Sequence, residues 1–362
     1  PPRAPDGGGM AAPTALYVGT EEGLTVLTSA DGRTWEVESN ALEDWAVTKV
    51  ALDPSHANRA FAGTRGDGVW MREDFGQEWE KLGYGKLGPG KVRCITVDPH
   101  DPDTLYVGTE PVDVWVSHDR GENWTRLESV GGMPWAAAVR YPGPGTEPHV
   151  RDIAIDATRP GTLYAAIQVG SIIKSVDYGA SWKRLESGLD DDVHRIVINP
   201  DNPDELFIAT GGHITDARIE NEGLFKSSDA GESWVSLKPE FSRGFIRKYS
   251  IAFLMHPTKP NVFYTAVANG SPRMWRARPS GAESAVLRTK DGGESWEKLG
   301  KGLEETERTF AEALVFDPAD PDRLYAGLQN GHLYTSADGG DSWAKLDVEV
   351  SSVLDIKCTH AQ

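Results

Sequence analysis

Basic residues are in short supply. Lys and Arg number 37 against 55 Asp and Glu in 362 residues, a formal charge of -18. Such a chain repels phosphate backbones and anionic bilayers, which argues against a nucleic-acid or membrane-surface partner. Cysteine is scarce too: Cys94 and Cys358 are too few for a disulfide framework and fit no metal-ligand spacing, so both are expected as small buried residues. No apolar run reaches the roughly 18 residues of a membrane span. The opening PPRAPDGGGMAAPTALYVG lacks a basic segment followed by an apolar one, so it does not read as an export signal. With Met10 as the native start, the expected compartment is the cytoplasm. Residues 1–13 read as a flexible Pro/Gly-rich tail, leaving 14–360 for the fold.

What the chain has in quantity is one turn, written seven times. SVDYGASWKRL from Ser175 returns as SHDRGENWTRL from Ser117, SSDAGESWVSL from Ser227, TKDGGESWEKL from Thr289 and SADGGDSWAKL from Ser336. REDFGQEWEKL from Arg72 and SADGRTWEV from Ser29 are looser copies. Ahead of each lie β-branched, alternating runs broken by DP or NP, as in VRCITVDPHDPDTLYVGT from Val92, a strand–turn–strand pattern. Successive motif tryptophans, from Trp35 to Trp343, lie about 45 to 60 residues apart, the length of a four-stranded propeller blade. The first copy has room for only three strands, and SSVLDIKC (Ser351 to Cys358) has the pattern of the missing one. The expectation is an all-β, single seven-bladed propeller whose C-terminal strand joins the N-terminal blade, with no open edge between first and last blades.

The pattern Ser/Thr-x-Asp-x-Gly-x-x-Trp resembles the Asp box, or bacterial neuraminidase repeat, over nearly the whole chain. Its residue chemistry is local: Asp and Ser side chains hydrogen-bond their own turn, and glycine permits positive φ. Seven equal copies therefore read as a structural device, and the resemblance agrees, since Asp boxes of sialidases lie away from the catalytic centre. Chemistry is expected where the repeats diverge. Three long connections, Gly131 to His149, Gly211 to Gly223 and Ala268 to Ser284, should gather at one mouth of the central channel.

At the starts of the inner strands, the position of Arg93 holds Thr48, Arg151, His194, Ile251, Glu312 and Leu354 in the other blades. Two residues earlier stand Ala46, Lys91, His149, Asp192, Tyr249, Phe310 and Ser352. Side chains two apart on a strand share a face, which pairs His149 with Arg151 and Asp192 with His194. An Asp beside a His suits a general base or a metal ligand. His149, His194 and His213 together are a candidate site for a divalent metal; surface histidines with local bonds are the alternative. Arg93, Arg151, Arg276 and Lys91 are candidate anion contacts, with Arg140, Arg247, Arg278 and Arg308 near the same mouth, and Trp135 and Trp275 are candidate stacking platforms. The arginines would equally serve to balance Glu304, Glu305 and Glu307.

Two functions follow. In the first, the sialidase resemblance implies a pocket enzyme, a hydrolase or lyase acting on a small anionic or glycosidic substrate, with His194, Glu312, Tyr249 and Asp192 as the catalytic set. The chain departs from sialidases in lacking the Phe/Tyr-Arg-Ile-Pro segment and in having seven blades rather than six; Asp-box xyloglucanases differ in using two propellers. In the second, resemblance to the photosystem II assembly factor and to sortilin-type receptors implies a non-catalytic module for a protein or carbohydrate partner. A monomer is expected in either case, because a closed ring hides its own edges.

Overall fold

The computed structural model describes residues 13–83, 88–135, 147–185, 189–212, 223–237, 248–303 and 308–361. Its strands form seven four-stranded antiparallel sheets, each running in chain order from the innermost strand outwards, apart from the first. The inner strands of blades two to seven are Val47–Leu52, Val92–Asp98, Val150–Ile155, Val193–Ile198, Lys248–Met255 and Ala311–Phe316. Blade one takes its inner strand from the other end of the chain: Val353–His360 pairs antiparallel with Thr14–Thr20, setting Cys358 opposite Leu16 and Lys357 opposite Tyr17. Each inner strand neighbours the next around a closed ring. The expected seven-bladed propeller and its mode of closure are therefore what the chain adopts.

Blades pack on both faces, so the second strand of each blade is apolar throughout rather than alternating. Leu163–Ile167 (LYAAI) and Leu324–Leu328 (LYAGL) are buried at every position. Glycine at the fourth position of LYAGL has a packing reason: a Cβ on Gly327 would lie 2.6 Å from both Val353 and Ile356 of the closing strand.

The repeated turn is a hydrogen-bonded unit. In the copy from Ser227, the hydroxyl donates to Asp229 Oδ1 (2.8 Å) and accepts from Gly231 N (2.8 Å). Asp229 Oδ1 also accepts from Ser233 N, and its Oδ2 from the Ser233 hydroxyl. These bonds, the Ser233 hydroxyl foremost, hold the Asp229 carboxyl at about 2, and Gly231 takes φ +94°. The same set recurs at Ser175, Thr289 and Ser336, and at Ser117 with the Asn123 amide in place of the second hydroxyl. The unit also joins blades: Tyr264 of blade six donates to Gly339 O in the blade-seven turn (2.8 Å), and Tyr164 of blade four to Ala230 O in the blade-five turn (3.3 Å).

The second copy has Arg72 in place of the hydroxyl, and the arginine does different work. Fully buried between blades one and two, it donates to Tyr17 OH (2.6 Å) and Glu38 Oε2 (3.1 Å). Its guanidinium lies 5.0 Å from the ring centroid of Tyr17, 4.8 Å from Phe75 and 5.6 Å from Trp79. A cation so placed is held by both charge and ring quadrupoles.

Truncation after Val350 removes the closing strand and bares the edge of Thr14–Thr20. Each kcal/mol lost moves the thermal midpoint of a large domain by roughly 2–4 °C, and a buried eight-residue strand carries several. We expect a fall of at least about 10 °C or loss of the cooperative transition by calorimetry; an unchanged midpoint would show that the ring does not need its clasp.

Candidate functional site at the channel mouth

Every inner strand carries one extra residue at the same place. In blade three, Val92 faces Thr109 and Cys94 faces Gly108, leaving Arg93 without an opposite number. The register slips likewise at Thr48, Arg151, His194 and Glu312, across Ile251 and Ala252, and at Leu354 in the closing strand. Such a bulge bends the strand and re-aims the extra side chain. Here all seven blades do so together, and Thr48, Arg93, Arg151, His194, Ile251, Glu312 and Leu354 line one small cavity, with Lys49, Arg65 and Arg195.

The cavity holds about 70 Å³, far below the roughly 300 Å³ of usual small-molecule pockets. It is sized for a carboxylate or phosphate group. Arg93 Nη1 lies 3.4 Å from Glu110 Oε2, and its Nη2 donates to His149 Nε2 (2.9 Å). Burial, together with the nearby charges of Arg151 and Arg65, draws the Arg93 pKa down to about 10. Arg151 reaches Glu312 Oε1 only at 3.4 Å, while Glu312 Oε2 accepts from Gln329 Nε2 (2.8 Å). Burial raises the Glu312 pKa, opposed by Arg151. Both arginines line the cavity, so an anion entering it would meet two guanidiniums.

His194 and Asp192 meet as expected. Nδ1 of His194 donates to Ser250 O (2.9 Å), which fixes its proton there, and Nε2 lies 3.2 Å from Asp192 Oδ1. With Nδ1 committed, the contact at Nε2 is attractive only when a second proton sits on one of the two groups. Both side chains are buried, His194 at 2% and Asp192 at 8% exposure. Gly211 makes room for the pair: a Cβ there would stand 2.2 Å from Asp192 Oδ2 and 2.5 Å from His194 Cε1.

Several expected roles are corrected. His149 does not pair with Arg151 along its own strand: its Nε2 is taken by Arg93 of the neighbouring blade. It is fully buried, donates Nδ1–H to Glu147 O (3.0 Å) and gives its Nε2 lone pair to Arg93. Burial first, then the charges of Arg93 and Arg151, hold its pKa well below the ordinary value. That leaves His149 no free nitrogen for a metal. His213, the third member of the expected metal set, lies outside the described residues, as do Arg140 and Arg247; among the described residues no cluster of three His, Cys, Asp or Glu has metal-binding geometry.

Tyr249 and Trp275 belong to the apolar block behind His194, not to the channel wall. Tyr249 is 6% exposed and lies edge-on to His194, Trp275 and Phe310; Trp275 is 6% exposed and spends its indole N–H on Asn269 O (3.1 Å). Trp135 is half-buried beneath the guanidinium of Arg184, 4.6 Å from its ring centroid. Arg276 is exposed on the short helix Pro272–Ala277, away from the cavity lining. Lys91 is half-exposed, 3.7 Å from Glu110.

Sequence reasoning missed a second ring. The residue after the second strand of a blade donates its backbone N–H to the residue two before the bulge, as in Glu110 N to Lys91 O, Gln168 N to His149 O, Gly211 N to Asp192 O and Gln329 N to Phe310 O. Glu110, Gly211 and Gln329 thereby reach the site. Matched-position reading of the second strands, applied as it was to the first, would have found them.

No family model matches the chain. It is 27% identical over 199 residues to a xyloglucanase of Paenibacillus sp, covering 52% of this chain and 18% of that protein. It is 29% identical over 151 residues to xyloglucanase Xgh74A of Acetivibrio thermocellus, covering 40% and 17%. The chain thus matches under a quarter of the length of these curated relatives. Among solved structures, the GH74 xyloglucanase of Xanthomonas campestris superposes with a TM-score of 0.67 at 19% identity, over 94% of this chain and 55% of that one. YCF48 bound to D1 peptide superposes at 0.58 and 17% identity, over 90% and 93%. These likenesses share the propeller fold with the present chain.

Two outcomes test the geometry. Gly211→Ala should leave the fold intact at a cost of about 1–3 kcal/mol and shift the His194 ring resonances; unmoved resonances would mean that the pair does not pack over this glycine. His149 should stay neutral at pH 5.5 in nitrogen-resolved NMR. The sign for stability follows: its folded pKa lies below the unfolded value of about 6.5, so the unfolded chain binds the extra proton and this residue makes stability fall as pH drops below about 6.5. Urea midpoints at pH 7 and 5 should differ less for His149→Gln than for the native chain; an equal difference would contradict the assignment.

Proposed function

We propose that this propeller is a carbohydrate-active hydrolase of the glycosidase kind, taking a small glycoside that bears an anionic group at the channel mouth. The observation that carries the reading is the grouping of a carboxyl of raised pKa, Glu312, with two guanidiniums and the His194–Asp192 pair around one small cavity. The similarity to proteins named xyloglucanases supports the reaction class.

The 70 Å³ cavity takes the anionic group alone, held by Arg93 and Arg151, while the sugar ring sits above it towards the mouth. Docking of that anion draws Arg151 from Glu312. Without its cationic neighbour Glu312 holds its proton more firmly and can donate it to the glycosidic oxygen as general acid. The His194–Asp192 pair accepts the proton of the attacking water.

A second reading, a non-catalytic ring that holds a partner's carboxylate in the same cavity, is supported by the match in extent to single-ring YCF48, 93% of which is covered.

The test is a panel of p-nitrophenyl glycosides, acidic and neutral, with the native chain and Glu312→Gln. The acidic glycosides should turn over faster, and the substitution should lower kcat by about 10² or more, with activity lost as pH rises through the raised Glu312 pKa. Binding of acidic glycosides without turnover would favour the second reading; no preference for acidic substrates and no effect of the substitution would overturn the first.

A further inference from the structure

The same channel opens at its other end into a larger chamber of about 550 Å³. Its walls are apolar strand residues of blades two to five, among them Leu52, Ile95, Val97, Ile155, Val197 and Ile198, and it reaches Pro54 and Pro99 in the turns that follow the inner strands. Its floor is charged. Lys49 and Arg195, which also line the mouth cavity, form a waist between the two chambers.

Three of the floor residues, Lys49, Asp152 and Arg195, repeat one arrangement with Asp355 behind them. Asp355 accepts from Val50 N of the next blade (3.0 Å) and lies 3.5 Å from Lys49. Asp152 accepts from Ile196 N (3.0 Å) and lies 3.4 Å from Arg195. These are two ion pairs with no excess charge. Lys357, on the closing strand, adds a third cation, 3.8 Å from the already shared Asp355. Three cations thus stand over two carboxylates, at the bottom of a chamber whose walls are Ile, Val, Leu and Ala. Lys357 keeps 25% of its side chain exposed, towards the chamber it lines. Burial accordingly pushes its pKa down to about 8, against the pull of Asp355, with Lys49 and Arg195 lowering it further and Asp152 opposing them.

We propose that this lower chamber is a binding site for an amphiphilic organic acid, its carboxylate seated on Lys357 and the waist cations and its apolar body along the strand walls. The volume lies within the range of small-molecule pockets, and the few converging polar groups on an apolar wall are what such pockets present. A small inorganic anion would satisfy the floor but leave the walls hydrated; a neutral hydrocarbon would fill the walls and leave the floor's excess charge uncompensated. Only a molecule with both parts uses both. The site is separate from the mouth and does not depend on the reading of the mouth as a hydrolase.

The experiment is calorimetric titration of the full chain with acetate, hexanoate, decanoate and decanol at pH 7, with decanoate again at pH 9.5, and with Lys357→Met. Decanoate should bind at one site per chain and at least tenfold more tightly than hexanoate, acetate and decanol being weaker still. Because the cationic form of Lys357 is the binding form and is lost above about pH 8, decanoate affinity should fall several-fold at pH 9.5 in the native chain. Lys357→Met should weaken it by tenfold or more at pH 7. Should that variant fail to fold, the native pH series decides alone. Decanoate binding no stronger than acetate, no measurable binding at millimolar concentration, or affinity unchanged by both pH and substitution would each overturn the proposal.

Discussion

The bulge at the head of each inner strand is the constraint on which the site depends. A regular strand entering the channel would alternate its side chains between the two faces of its blade and send none along the axis. The extra residue breaks that alternation once per blade, at the same height, and gives the channel one inward side chain from each. What the blade presents there is otherwise unconstrained by its own packing. That freedom lets the ring hold Thr48, Ile251 and Leu354 on some blades and Arg93, Arg151, His194 and Glu312 on others without changing the fold.

A ring with charged groups on its axis has to be held from outside. Tyr264 and Arg288 of blade six both donate to Gly339 O in the turn of blade seven, and Arg323 of blade seven donates to Gly32 O in the turn of blade one. The repeated turns are thus inter-blade fasteners, tied internally by Ser and Asp and externally by the neighbouring Tyr or Arg. Their even distribution around the rim explains why seven near-identical motifs coexist with a single, asymmetric centre. The Arg72 exception fits the same rule, for it binds Tyr17 and Glu38 across the boundary next to the closing blade.

The architecture was legible because its signals are periodic and local. Motif spacing gave the blades, and SSVLDIKC gave the closure, since strand pattern survives at any place in a chain. Matched positions gave the seven mouth residues because the bulge recurs at the same place and preserves the correspondence. The two-residue rule within one strand succeeded for Asp192 and His194 but failed for His149, whose partner Arg93 comes from the neighbouring blade. Trp275 and Tyr249 looked like a stacking platform and a member of the catalytic set because sequence carries no measure of depth; in the fold they support His194 from behind. The lower chamber left no trace at all. Its walls are the same Val and Ile that any inner strand would carry, and its cations come from opposite ends of the chain.

The electrostatics of the axis run against those of the surface. With a formal charge of -18, the exterior disfavours the approach of anions, and screening at physiological salt limits that effect to about 8 Å. Inside the channel the balance of the lining residues reverses: Lys49, Arg65, Arg93, Arg151, Arg195 and Lys357 stand against Asp152 and Glu312, with Glu110, Glu21 and Asp355 paired to them from behind. Low-dielectric walls strengthen each of these charges and keep ions from screening them. Arg93 and Lys357, whose pKa values burial first and neighbouring cations second draw down to about 10 and about 8, are where the cost of burying cations is concentrated. An anion entering either chamber would relieve that cost, and the two heights at which it could do so are set by the same repeated strand.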